Sequence, residues 1–131
     1  MARKFFTAVL ILLLFLQTVN GAIVVGRVPD GAYCGNYSYG LVTGRISLGS
    51  LPNTFDIALT VFGDDYNCKN ERYKYDEKTN KMEVPDSNNP NDCLGKLLVQ
   101  NKLTLSVQYY PKEDELELDL GIAKIMLTQC G

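Results

Sequence analysis

Among its 131 residues the chain has no histidine and no tryptophan. The missing histidine removes the usual base that activates a serine or cysteine nucleophile. A lysine-based substitute would show as Ser-x-x-Lys, and that spacing does not occur. Structural zinc loses its imidazole ligands, and neighbouring cysteines stand at least 25 positions apart where zinc sites use close pairs. Positive charge is also short: 13 basic against 15 acidic residues, net −2, with no basic cluster. That argues against nucleic acid and anionic membrane surfaces as partners. No metal, no cofactor and no catalytic set is expected, and the chain reads as a non-enzyme.

What is present begins with one apolar run. Arg3 and Lys4 precede it, Ala8 to Leu16 form it, and Gln17-Thr18-Val19-Asn20-Gly21 follow. This is the basic, apolar and polar order of a secretory signal peptide, with Val19 and Gly21 at −3 and −1 of a cut before Ala22. A membrane span needs about 20 apolar residues, and this core is shorter. The expected organisation is a signal peptide over residues 1–21 and a single domain over 22–131, released outside the cell without a membrane anchor. Losing Arg3 and Lys4 takes the net charge from −2 to −4.

All four cysteines, Cys34, Cys68, Cys93 and Cys130, lie after the leader. An even count in a small exported domain reads as two disulfides. Three pairings are possible. Cys34–Cys130 with Cys68–Cys93 is the expected one, because the first and last strands are neighbours in many closed β folds. A loop of roughly 100 residues closed in this way gains about 4–5 kcal/mol on chain entropy. Asn36-Tyr37-Ser38 is the only N-glycosylation sequon, so Asn36 is the candidate glycan site.

Apolar residues then alternate with period two, the mark of half-buried strands. Tyr33, Gly35, Tyr37 and Tyr39 share one face of a first strand, and Val42, Ile46 and Leu48 one face of a second. Phe55, Ile57, Leu59 and Val61 follow before a turn at Gly63-Asp64-Asp65. A more polar strand is expected over Tyr66 to Tyr75 and a short one over Lys81 to Val84. Leu103, Leu105, Val107 and Tyr109 precede a turn at Pro111 to Asp114, then come Leu116, Leu118 and Leu120, and a last strand over Ile122 to Leu127. The alternating apolar sets from Phe55 to Val61, Leu103 to Val107 and Leu116 to Leu120 are the expected core. Leu94, Leu97 and Leu98 break the pattern with helical spacing after a capping Asn91 or Asp92, giving one short helix at about residues 92–100. The fold class is mainly β: an antiparallel barrel or sandwich of about seven or eight strands with that helix.

The segment Gly31-Ala32-Tyr33-Cys34-Gly35 opens the domain, sequential hairpins follow, and cysteines bracket the two ends. On these features the chain resembles the calycins, the group that holds lipocalins and fatty-acid-binding proteins. Lipocalins carry Gly-x-Trp in the first strand, and Gly31 and Tyr33 would take those places with tyrosine for tryptophan. The chain is shorter than a usual lipocalin, and its helix precedes the last three strands instead of following the barrel. The resemblance implies a central cavity for an apolar small molecule.

Three sets of polar residues are candidates for chemistry or binding. Glu115, Glu117 and Asp119 alternate with leucines and read as the wet face of a strand, not an acid/base pair, with Glu113 and Asp114 in the turn before them. Asp86, Asn88, Asn89, Asn91 and Asp92 are rich in oxygen, but they lack the glycine and distal glutamate of a calcium loop and read as a connector. Tyrosine, with eight copies, is the one compositional signal. Tyr37, Tyr39, Tyr73 and Tyr75 are the candidate binding residues, since a tyrosine buries apolar area while keeping a hydrogen bond at its tip. The competing expectation puts these rings in the core and the site in the Pro85–Asn91 loop. The chain thus reads as a secreted, non-catalytic binding module for a protein or glycan. The alternative is a carrier of an apolar small molecule inside a barrel.

Overall fold

The computed structural model describes residues 27–131, so the expected signal peptide and the expected cut before Ala22 lie outside the described residues. Nine antiparallel strands and one helix follow in the order β1 (Gly31–Tyr37), β2 (Val42–Leu48), β3 (Thr54–Val61), β4 (Asp64–Arg72), β5 (Lys74–Asp76), β6 (Lys81–Glu83), α1 (Cys93–Gln100), β7 (Ser106–Tyr110), β8 (Glu115–Asp119) and β9 (Lys124–Gln129). They form one sheet in the order β4-β3-β2-β1-β9-β8-β7-β6-β5. Its two end strands, β4 and β5, are separated in the chain by Tyr73 alone, so the sheet curls into a nearly closed barrel.

The count exceeds the expected seven or eight because the segment from Tyr66 to Tyr75 is two strands. Its first part begins earlier than expected, at Asp64, so Asp64 and Asp65 lie in β4 and the turn is Phe62–Gly63. Leu103 also falls outside the strand expected to hold it. It lies between α1 and β7, and its amide donates to the Leu98 carbonyl at 2.8 Å.

Inside the barrel the alternation holds. Phe55, Ile57, Leu59, Leu103, Val107, Leu116, Leu118 and Leu120 are buried, while Val61 and Leu105 are half-buried and flank the core. Tyr33 and Tyr109 are fully enclosed, and Ile46, Leu94, Leu98, Ile125 and Leu127 join them in one cluster. The interior is therefore filled by side chains.

Helix α1 lies against β4 and puts Leu94, Leu97 and Leu98 into that same core. Asp92 caps it by accepting from the Gly95 amide at 3.1 Å, as the sequence suggests. Glycine is required at position 95, because a Cβ there would stand 2.1 Å from the Asn89 carbonyl oxygen. Two disulfides close the structure. Cys34–Cys130 joins β1 to the residue after β9, and Cys68–Cys93 staples α1 to β4, with Cα separations of 5.7 Å in both.

Leu59 sits near the middle of β3, 2% exposed, so truncation leaves a void that the sheet cannot collapse into. Leu59→Ala should cost about 2–5 kcal/mol in denaturant unfolding. A cost under about 0.5 kcal/mol, the usual effect of a surface change, would place this face outside the core.

Candidate functional site

The four candidate tyrosines separate into two pairs at opposite ends of the barrel. Tyr73 follows β4, and its amide donates to the Asn53 carbonyl at 3.1 Å, beside the start of β3. Tyr73 meets Phe55 edge-on at 5.9 Å and Tyr75 meets Tyr109 edge-on at 6.2 Å. The Tyr75 hydroxyl donates to Asn80 Oδ1 at 2.8 Å. Both rings are half-buried and serve the core, and burial raises both hydroxyl pKa values.

Tyr37 and Tyr39 behave differently, and the expected common face does not form. Tyr33 is in the core, β1 ends at Tyr37, and Tyr39 lies in the following turn. Tyr39 is fully exposed with φ +56°, and Tyr37 is 46% exposed. Next to this turn is the one between β3 and β4. There Val61 pairs with Asp64 around Phe62 and Gly63, both at positive φ (+50° and +89°). This is the backbone of a tight hairpin turn, which favours Asn-Gly. Phe62 is 67% exposed, and its amide donates to the Leu41 carbonyl at 2.9 Å, tying the two tips together. Leu41 and, in the turn between β8 and β9, Ile122 are exposed as well.

Tyr39 and Phe62 violate two preferences at once. The left-handed backbone costs a non-glycine residue roughly 1–2 kcal/mol. A large ring in water forgoes about 1.5–3 kcal/mol that burial would return. Asparagine would be the cheaper residue at either tip. Folding does not account for these side chains.

Beside Tyr37 a groove of about 490 Å³ is lined also by Thr104, Ser106, Asp119, Ile122 and Lys124. Tyr37 lies beyond the last pair of the β1–β9 ladder, which joins Tyr33 to Gln129 and Cys34 to Thr128. Asn36, the sequon residue, is exposed at this end of β1.

The Pro85–Asn91 loop is engaged in the fold. Asp86 accepts from the Arg72 guanidinium at 2.8 Å, Asn89 Oδ1 accepts from the Asn91 amide at 3.0 Å, and Asp92 caps the helix. Three of the five oxygen-bearing side chains, those of Asp86, Asn89 and Asp92, thus accept hydrogen bonds within the fold. Cys68, Glu71 and Cys93 bring donor atoms within 4.8 Å of one another, but both sulfurs belong to the disulfide and are not thiolates.

Two polar residues have roles that alternation along the strands does not reveal. Asp114 takes hydrogen bonds from the Tyr33 and Tyr109 hydroxyls, each at 2.8 Å to Oδ1, and from Gln129 at 3.1 Å to Oδ2. Burial alone would raise its carboxyl, and these three donors override that, so it titrates below the ordinary carboxylate range. Glu71 is only 3% exposed. Strand alternation from the buried Cys68 would turn it outward. The β3–β4 register shifts after Phe55, and Asn70, at φ +57°, gives its amide to Asp56 Oδ1. That irregularity re-aims Glu71 inward, where Oε1 accepts from the Leu94 amide at 2.8 Å. Burial first, then the neighbouring Asp92, raise its pKa to about 7.

Comparison with protein-family models, with curated proteins and with solved structures finds no match to this chain.

A carboxyl whose pKa is raised on folding loses stability as it ionises. Glu71 should therefore subtract stability as pH rises from its ordinary value of 4.5 to about 7, and nothing further above that. Glu71→Gln cannot ionise and keeps an oxygen for the Leu94 amide. The melting temperature of the variant relative to the native chain should climb between those pH values and then level off. A difference that stays flat from pH 4 to 8 would mean that Glu71 titrates normally.

Proposed function

We propose that this chain is a secreted, non-catalytic binding module, and that its working surface is the end of the barrel carrying Tyr37, Tyr39, Leu41, Phe62 and Ile122. The observation that carries the reading is the pair of aromatic hairpin tips. Tyr39 and Phe62 are exposed at positive φ, where neither packing nor backbone preference favours them. Exposed apolar side chains on rigid hairpins are what a recognition surface needs, because the strands position them and burial on a partner returns the free energy they forgo in water. The target is a molecule outside the cell, a protein or a glycan. Two disulfides fit an oxidising compartment, and among the described residues no helix is long and apolar enough to cross a membrane. A glycan on Asn36 would border this surface and set one limit to it.

The carrier reading rests on the calycin-like layout, and the nearly closed barrel is compatible with it. It is the weaker of the two, because Tyr33, Phe55, Tyr109 and Leu118 occupy the interior where the cargo would lie.

The exported protein, fluorescently labelled and titrated onto intact cells of its source, should bind saturably. Leu41→Ser with Phe62→Ser should abolish that binding while moving the melting temperature by no more than a few degrees, since both positions face water. Non-saturable binding, or binding undiminished in the double variant, would contradict the reading.

A further inference from the structure

The groove beside Tyr37 has a composition that selects among ligands. Ser106, Asp119 and Lys124 are direct cross-strand partners on β7, β8 and β9. At about 4.8 Å between strands, this row of hydroxyl, carboxylate and ammonium spans roughly 10 Å. Asp119 Oδ1 is held by the Gly121 amide at 2.9 Å, which fixes the carboxylate. Thr104 adds a second hydroxyl, and Tyr37 supplies a half-exposed ring from β1.

We propose that this groove binds a neutral carbohydrate residue at the end of a glycan, with Tyr37 stacked on the sugar's C–H face and the Ser106–Asp119–Lys124 row meeting its hydroxyls. This rests on reading this end of the barrel as the working surface, and it names the chemical class of the target. The choice follows from the donors and acceptors. A sugar hydroxyl both gives and takes a hydrogen bond, so it uses a carboxylate, an ammonium and two hydroxyls together. An anionic ligand would meet Asp119 at the centre of the row. A metal cation would find one carboxylate with Lys124 beside it. An apolar molecule would find Tyr37, Leu105, Ile122 and Ala123 but would strip water from four polar side chains without replacing their hydrogen bonds. An extended peptide needs a longer run of free strand edge than the three residues Gly35–Tyr37 that β1 leaves unpaired with β9.

The test is a two-dimensional amide NMR titration of the exported protein. The probes are lactose, N-acetyllactosamine, maltose and cellobiose, with sialyllactose and an acetylated tripeptide amide as contrasting arms. At least one neutral disaccharide should bind saturably at about millimolar Kd, with shifts centred on Tyr37, Ser106, Asp119, Ile122 and Lys124. Asp119→Asn and Tyr37→Ala should each weaken it at least about tenfold with unchanged melting temperature, and Tyr37→Phe should retain it. The unmutated protein maps the site even if a variant unfolds. The assignment is overturned if no neutral disaccharide gives saturable shifts, if the shifts fall elsewhere, or if only sialyllactose or the peptide binds. The cell-binding assay uses Leu41 and Phe62 alone. Saturable cell binding together with no sugar shifts would therefore overturn this assignment and leave the proposed function standing.

Discussion

Two tyrosine rings fill one end of the barrel, and one carboxylate oxygen takes the hydrogen bonds of both. Tyr33 and Tyr109 are completely enclosed, on strands β1 and β7 that are not neighbours in the sheet, and both donate to Asp114 Oδ1. Without that acceptor each hydroxyl would be buried at a cost of about 1–3 kcal/mol. Asp114 reaches it by holding φ at +54° in the β7–β8 turn. Gln129 links Asp114 to the Asp30 carbonyl, and the Cys34–Cys130 disulfide lies one residue further along β9's exit. The segment before β1, the last strand and the β7–β8 turn are thus drawn to one point. With the rings occupying the interior, little room is left there for a ligand.

The opposite end is built the other way. Its three turns hold no comparable polar hub, the β1–β9 ladder stops after two pairs, and large apolar side chains stand in water. The tip residues are held by backbone contacts, as between Phe62 and Leu41, so their positions are set while their side chains stay free. One end spends its tyrosines on closing the fold and the other presents them. This difference is the physical basis for assigning the ends different roles.

Much of this was legible in the residues. Period-two alternation located the core sets of β3, β7 and β8, and the spacing of Leu94, Leu97 and Leu98 with Asp92 before them located α1. The disulfide pairing followed from the adjacency of first and last strands. The failures have particular causes. Alternation carried past Tyr37 puts Tyr39 on the Tyr33 face, but the chain turns there with three successive positive φ values at Ser38, Tyr39 and Gly40. Phenylalanine is a poor signal for a tight turn, so the residue pattern points to Gly63-Asp64-Asp65 and not to Phe62–Gly63. Glu71 was invisible because a register shift reverses the alternation of β4. Asp114 passed for one more acidic turn residue, since its partners lie 81 positions upstream at Tyr33 and five residues back at Tyr109. The groove was equally hidden: Ser106, Asp119 and Lys124 form a row only once the registers of three strands are known.

The most direct test of a filled interior with an external working surface is a methyl NMR titration of residues 22–131 with a long-chain fatty acid. Ile46, Leu118, Ile125 and Leu127 point into the barrel and report on its contents. A filled interior predicts that their resonances stay in place and that no stoichiometric complex forms. Stoichiometric binding that shifts those methyl groups would contradict it and establish the barrel as a container.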